Sequence, residues 1–144
     1  MARRDELEEL VKEMQQRIDQ EEECIYSAAV WKEVQKPFNM GSMEGCDAAA
    51  RYTGWCGDTM EIFLRVKNGC IVEASFLTDG CGATVACGSR LMRMILGIGI
   101  AEAWDIGDAD LISELEGLPD DSLHCATLTV TTLRKALKIL EERR

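Results

Sequence analysis

A chain of 144 residues with 47% hydrophobic and 29% charged side chains has the length and composition of one soluble globular domain. With 16 Lys and Arg against 26 Asp and Glu, its formal net charge of −10 argues against nucleic acid or an anionic membrane as the main partner. No run approaches the roughly 20 apolar residues of a membrane span, and Met1-Ala2-Arg3-Arg4 leads into acidic residues rather than a secretory signal.

Residues 3 to 35 read as helix. Leu7, Leu10, Val11, Met14 and Ile18 form one apolar stripe opposite a face dense in Glu, Lys and Arg. Docking of this helix on its own domain and a coiled contact with another chain, hence a homodimer, are both open. Glu21-Glu22-Glu23 interrupts the stripe, and a second helical segment from Ile25 to Val34 stops before Pro37. Phe38 to Thr53 is loop-like, with a short edge strand expected at Ala48–Thr53.

A hairpin follows. Met60, Ile62, Leu64 and Val66 alternate with Glu61, Phe63, Arg65 and Lys67, and Cys70, Val72, Ala74 and Phe76 alternate likewise. A two-residue Asn68-Gly69 turn would put the two apolar sets on opposite faces. Because register follows the buried face, the spacing predicts a three-residue loop with a bulge, pairing Val66 with Cys70 and Leu64 with Val72. The strand ends at Thr78-Asp79-Gly80-Cys81-Gly82, where a helix from Ala83 to Leu96 begins. The flanking glycines are expected to supply positive φ and space beside the sulfur, and the helix N-terminus favours thiolate.

Gly97-Ile98-Gly99 reads as C-cap and hinge. Ile100–Trp104 and Ala109–Glu116 read as short helices, the second capped by Asp108 and ended by Gly117. Asp120, Asp121 or Ser122 is expected to cap the last helix, whose stripe is Leu123, Ala126, Val130, Leu133, Leu137 and Leu140. Strands followed by helices indicate an α+β fold, a small antiparallel sheet packed against several helices, with an N-terminal helical extension.

The seven cysteines, with no export signal, imply a reducing, cytoplasmic setting in which thiols serve metal or redox chemistry. No Cys-x-x-Cys pair is present, so neither a zinc ribbon nor a thioredoxin motif fits. Cys70, on the expected inward face of the hairpin, and Cys87, on the helix after Cys81, read as small buried hydrophobes. Cys24 and Cys46 read as incidental thiols of the polar N-terminal third. Cys56, Cys81 and Cys125 instead sit at the mouths of elements, with Gly, Asp or His beside them, and His124 is the single histidine. Three thiolates with Asp58 or His124 would satisfy a tetrahedral zinc or complete a [2Fe–2S] cluster.

The order Gly54-Trp55-Cys56-Gly57-Asp58, then Gly80-Cys81-Gly82 after a hairpin, then Leu123-His124-Cys125 opening a final helix resembles the IscU/NifU-type iron–sulfur cluster scaffold proteins. Pro37-Phe38-Asn39-Met40-Gly41 is similar to that family's Pro-x-Asn-x-Gly entry. The resemblance runs from Ile25 to the C-terminus and implies two parts, an extension over 1–24 and a scaffold domain over 25–144. It implies that Cys56, Asp58, Cys81, His124 and Cys125 line an assembly site holding iron and a transient [2Fe–2S] cluster, with zinc able to occupy the same ligands. It further implies a cysteine desulfurase that delivers persulfide sulfur to Cys125, acceptor apoproteins, and frataxin-like and chaperone partners. The family's Leu-Pro-Pro-Val-Lys chaperone segment, however, reads Leu118-Pro119-Asp120-Asp121-Ser122 here.

Three functions are therefore in play. One is a scaffold that builds and releases a cluster without small-molecule turnover of its own; another is a zinc-dependent sulfurtransferase relaying sulfur through Cys125. The third is a structural zinc module. A histidine rather than a basic non-ligand beside Cys125, and no long insertion between Cys81 and His124, lean toward the scaffold.

Overall fold

The computed structural model describes residues 26–143. The helical stripe expected before Tyr26, and Cys24 with it, lie outside the described residues. Element order is α1 (Ala28–Gln35), β1 (Ala48–Thr53), β2 (Thr59–Lys67), β3 (Cys70–Thr78), α2 (Gly82–Ile95), α3 (Ile100–Trp104), α4 (Asp108–Glu114) and α5 (Leu123–Glu142). The strands form one antiparallel sheet in the order β1-β2-β3, and the fold is α+β as expected. The short strand at Ala48–Thr53 does stand at a sheet edge.

One sheet face carries Ala48, Ala50, Met60, Ile62, Leu64, Ile71, Ala74 and Phe76, all buried. α5 covers β1 and β2, and α2 covers β3 while packing on α5 and α1. Close approach of α2 to the sheet depends on Gly88, because a Cβ there would stand 2.5 Å from the Phe76 ring. Burial of a ring the size of Phe76 is worth about 1.5–3 kcal/mol, so the small residue and the large one are one packing unit. Ser27 caps α1, its Oγ accepting from the Val30 N–H at 3.2 Å, an arrangement worth about 1 kcal/mol.

The β2–β3 turn differs from the sequence expectation. Asn68 (φ 56) and Gly69 (φ 77) both take left-handed backbone, and Lys67 pairs with Cys70 across a two-residue turn. Such turns match the twist of paired strands and therefore prevail. The face conflict they create is relieved further along: Val66 pairs with Ile71 but Arg65 with Glu73, which leaves Val72 as a bulge. Ile71, Ala74 and Phe76 thus point inward while Val72 and Cys70 are exposed. Cys70 is not a buried hydrophobe, whereas Cys87 is, at 0% exposure.

Helix ends bring further corrections. Gly107, not Asp108, is the N-cap of α4, and its N–H is held by the Asp110 carboxylate at 2.9 Å. The Asp108 carboxylate accepts from the Thr127 hydroxyl at 2.6 Å, tying α4 to α5. No side chain caps α5: Asp120–Ser122 form a single 3-10 turn leading into it. Leu123 leaves the expected stripe and is 39% exposed. Gly97-Ile98-Gly99 is stitched to the hairpin by the bonds Gly97 N–H to Ile71 O (2.7 Å) and Ile71 N–H to Ile98 O (2.9 Å). No helix among the described residues is long and apolar enough to cross a membrane.

Candidate metal centre

Three elements converge at one end of the sheet. The loop between β1 and β2 is closed at its base by the pair Thr53–Thr59, whose hydroxyls are 2.8 Å apart. Within it, Gly54 O accepts from Gly57 N–H at 3.0 Å, and Gly54 N–H donates to Asp58 O at 2.9 Å. Gly57 takes φ +94, a conformation other residues rarely adopt. This tight turn presents Cys56 outward and aims Asp58 back toward α2. Gly54 rests against α5, since a Cβ there would meet Leu128 at 3.5 Å.

At the β3–α2 joint, Cys81 is the N-cap of α2 and is exposed. Neither neighbouring glycine is there for positive φ. Gly80 is required for space, as a Cβ would stand 2.7 Å from the side chain of Thr84. Burial acts to raise the Cys81 thiol pKa, but the Thr84 N–H, the Thr84 hydroxyl and the Ala83 N–H outweigh it, and the thiol lies below its ordinary value.

From the first turn of α5 come His124, half-buried, and Cys125, buried. The Cys125 sulfur lies 3.2 Å from the Thr84 hydroxyl and 3.7 Å from His124 Nε2. Burial pushes its thiol up to about 11, opposed by the Thr84 hydroxyl. The downward shift expected at a helix start is thus found at Cys81, whereas at Cys125, also in the first turn of a helix, burial outweighs it. Burial also pushes the neighbouring Cys87 thiol far above its ordinary range, and Cys87 stays a packed apolar side chain.

The ligand atoms of Cys56, Asp58 and His124 all lie within 4.8 Å of one another. Ligands at about 2.0–2.3 Å from a tetrahedral ion stand roughly 3.3–3.8 Å apart, so closing the three on an ion takes side-chain adjustments on the order of 1 Å. Cys125 adjoins this trio through His124, and Cys81 through Thr84. One thiolate, one carboxylate and one imidazole, with two more thiols alongside, form a donor set that suits zinc or iron–sulfur iron. Cys46 and Cys70 lie on other parts of the surface and are not among the trio.

Two residues of this region carry no weight in a reading of cysteines and histidine. Thr84 is fully buried, with its hydroxyl 3.4 Å from Asp58 Oδ2 and 3.7 Å from the Cys81 sulfur. Its position three residues after a helix-start cysteine would have placed it on the same helix face. Trp55 is 87% exposed, and its ring lies 5.3 Å from that of His124. A tryptophan directly before Cys56 was the available signal.

Comparison with known proteins gives the family and the fold. The family described as NifU-like N terminal domain matches residues 25–144. The iron-sulfur cluster assembly scaffold protein IscU 1 of Archaeoglobus fulgidus is 35% identical over 114 residues, covering 78% of this chain and 74% of that protein. The protein named iron-sulfur cluster assembly enzyme IscU in Drosophila melanogaster is 34% identical over 120 residues, covering 79% and 77%. Among solved structures, a nitrogen-fixing NifU-like protein (N-terminal) from Brucella abortus superposes with TM-score 0.69 at 18% identity, covering 83% of this chain and 96% of that one.

Proposed function

The chain belongs to the NifU-like N-terminal domain family of iron–sulfur cluster assembly scaffolds, and we propose that its assembly site is formed by Cys56, Asp58, Cys81, His124 and Cys125. The observation that carries the proposal is the meeting of the β1–β2 loop with the start of α5, which brings Cys56, Asp58 and His124 within 4.8 Å of one another, while Thr84 at the start of α2 lies 3.4 Å from Asp58 and 3.2 Å from Cys125. The cargo is a [2Fe–2S] cluster, built and then surrendered. Soft thiolates hold its iron; the harder Asp58 is the corner that exchanges. Zinc fits the same donors and would hold the site closed when no cluster is present.

A cysteine desulfurase would supply sulfur as a persulfide. The Cys125 thiolate attacks the outer sulfur, the desulfurase thiolate leaves, and Cys125 carries the new persulfide. Since Cys125 is enclosed by Thr84 and His124, acceptance requires the docked partner to uncover it. The exposure and lowered pKa of Cys81 favour a second route, with Cys81 as the entry thiol and Cys125 as the destination. Acceptor apoproteins receive the cluster, and a frataxin-like protein is a further partner. The chaperone partner is disfavoured: Asp120 and Asp121 expose carboxylates where the family has a neutral pair, and a groove suited to Pro-Val-Lys would have to desolvate them. The scaffold would occupy 25–144, in the cytoplasm, with 1–24 as an appendage.

Incubation of the cluster-free protein with desulfurase and cysteine, followed by peptide mass spectrometry, tests the proposal. An added sulfur should be found on Cys125, with or without transient label on Cys81. Sulfur mainly on Cys46 or Cys70 would reject it.

A further inference from the structure

We infer that Thr84 is a positioning residue of the assembly site, its hydroxyl fixing Asp58, Cys81 and Cys125 relative to one another and tuning the sulfurs toward bound metal. This rests on the assignment of those three residues proposed above. The Thr84 side chain is 0% exposed, and its Oγ1 lies 3.2 Å from Cys125 Sγ, 3.4 Å from Asp58 Oδ2 and 3.7 Å from Cys81 Sγ. These partners come from all three converging elements, and Thr84 touches each.

The usual fate of a buried helical threonine is seen elsewhere in the chain. Thr129 and Thr132 donate back to the carbonyls of Cys125 and Leu128, at 2.8 and 2.7 Å. Thr84, equally buried, instead finds side-chain partners. Room for this side chain is left by Gly80, where a Cβ would stand 2.7 Å from both Thr84 Cβ and Oγ1. The glycine before Cys81 thus serves the threonine after it.

A hydroxyl has one proton and can donate to one of the three at a time. Donation to a metal-bound thiolate withdraws electron density from sulfur, which shifts sulfur-to-metal charge-transfer bands to higher energy and tightens ligand orientation. Loss of such a supporting hydrogen bond weakens metal affinity by about 10–100-fold.

The test uses Co²⁺ as probe, added anaerobically to the reduced full chain. Thr84→Val keeps shape and removes the hydroxyl; Thr84→Ser keeps the hydroxyl and removes a methyl. Expected for Thr84→Val are charge-transfer bands at longer wavelength and Co²⁺ binding weakened by about 10-fold or more, with Thr84→Ser close to wild type in both. Should Thr84→Val fail to fold, Thr84→Ala takes its place with the same expectations. A folded Thr84→Val with the wild-type spectrum and affinity overturns the inference, as does a Thr84→Ser that behaves like Thr84→Val. Cys125→Ser and Cys81→Ser separate the two claims: if both retain the wild-type Co²⁺ spectrum, the site assignment itself has failed, whatever Thr84 does.

Discussion

The indole of Trp55 lies over the imidazole of His124, with ring centroids 5.3 Å apart and planes inclined at 59°. One ring comes from the loop that carries Cys56, and the other from the start of α5 that carries Cys125. The contact therefore spans the mouth of the proposed site. Trp55 fluorescence should report occupancy: Co²⁺ or Fe²⁺ should quench it in proportion to binding. Trp55→Phe should abolish most of the quench, since Trp31 and Trp104 lie outside the site, yet leave binding within about threefold. Undiminished quenching in Trp55→Phe would place the metal elsewhere.

Thiol reactivity in the metal-free protein should be ordered by enclosure. At pH 7.5, iodoacetamide should modify exposed Cys56 and Cys81 before Cys125. Because burial holds the Cys125 thiol up to about 11, its thiolate fraction, and so its alkylation rate, should climb about tenfold per pH unit toward that value. In urea the same residue should level off near the ordinary thiol pKa instead. Mass spectrometry of timed digests reads all three. Equal rates for Cys125 and Cys81 at pH 7.5 would contradict the enclosure.

Asp58 should govern release rather than folding. The turn that holds it uses its main-chain oxygen, which accepts from Gly54 N–H at 2.9 Å and survives substitution. Asp58→Ala should therefore melt within about 0.5 kcal/mol of wild type, still accept sulfur on Cys125, and pass its cluster to an apo-ferredoxin several-fold more slowly. Unchanged transfer with a clearly lowered melting temperature would make Asp58 a turn residue, at a cost of about 0.5–2 kcal/mol.

The two cysteines assigned to the core should part ways. Cys70→Ser sits on the exposed turn of the hairpin and should change stability by no more than about 0.5 kcal/mol. Cys87→Ser places a hydroxyl in a fully buried position and should cost about 1–3 kcal/mol. Urea unfolding of both variants decides it; equal costs would mean that the bulge at Val72 does not set the inward face.

That bulge illustrates how far the sequence could be read. The sheet and the described helices were legible, because alternation and helical spacing set faces; that Cys56, Asp58, Cys81, His124 and Cys125 share one site came from the family resemblance, not from periodicity. Parity predicted correctly that Ala74 and Phe76 point inward. It misplaced Cys70 and Val72, because Asn68-Gly69 prefers its own two-residue turn and the extra residue is taken up further along. The cap of α4 was missed by one residue, since Asp110 reaches back to Gly107, a choice between neighbouring carboxylates that only packing decides. Thr84 was invisible for a different reason. Its role depends on Gly80 leaving room, and sequence alone credits that glycine with backbone freedom.

The central claim is that these five residues build a [2Fe–2S] cluster, and Mössbauer spectroscopy of anaerobically reconstituted protein tests it most directly. Wild type is loaded with ⁵⁷Fe, desulfurase and cysteine beside a Cys56→Ser, Cys81→Ser, Cys125→Ser variant and a Cys24→Ser, Cys46→Ser, Cys70→Ser variant. The account predicts the quadrupole doublets of a [2Fe–2S]²⁺ cluster in wild type and in the second variant, and their loss in the first while the fold persists. A cluster retained in the first variant, or lost only in the second, would contradict it.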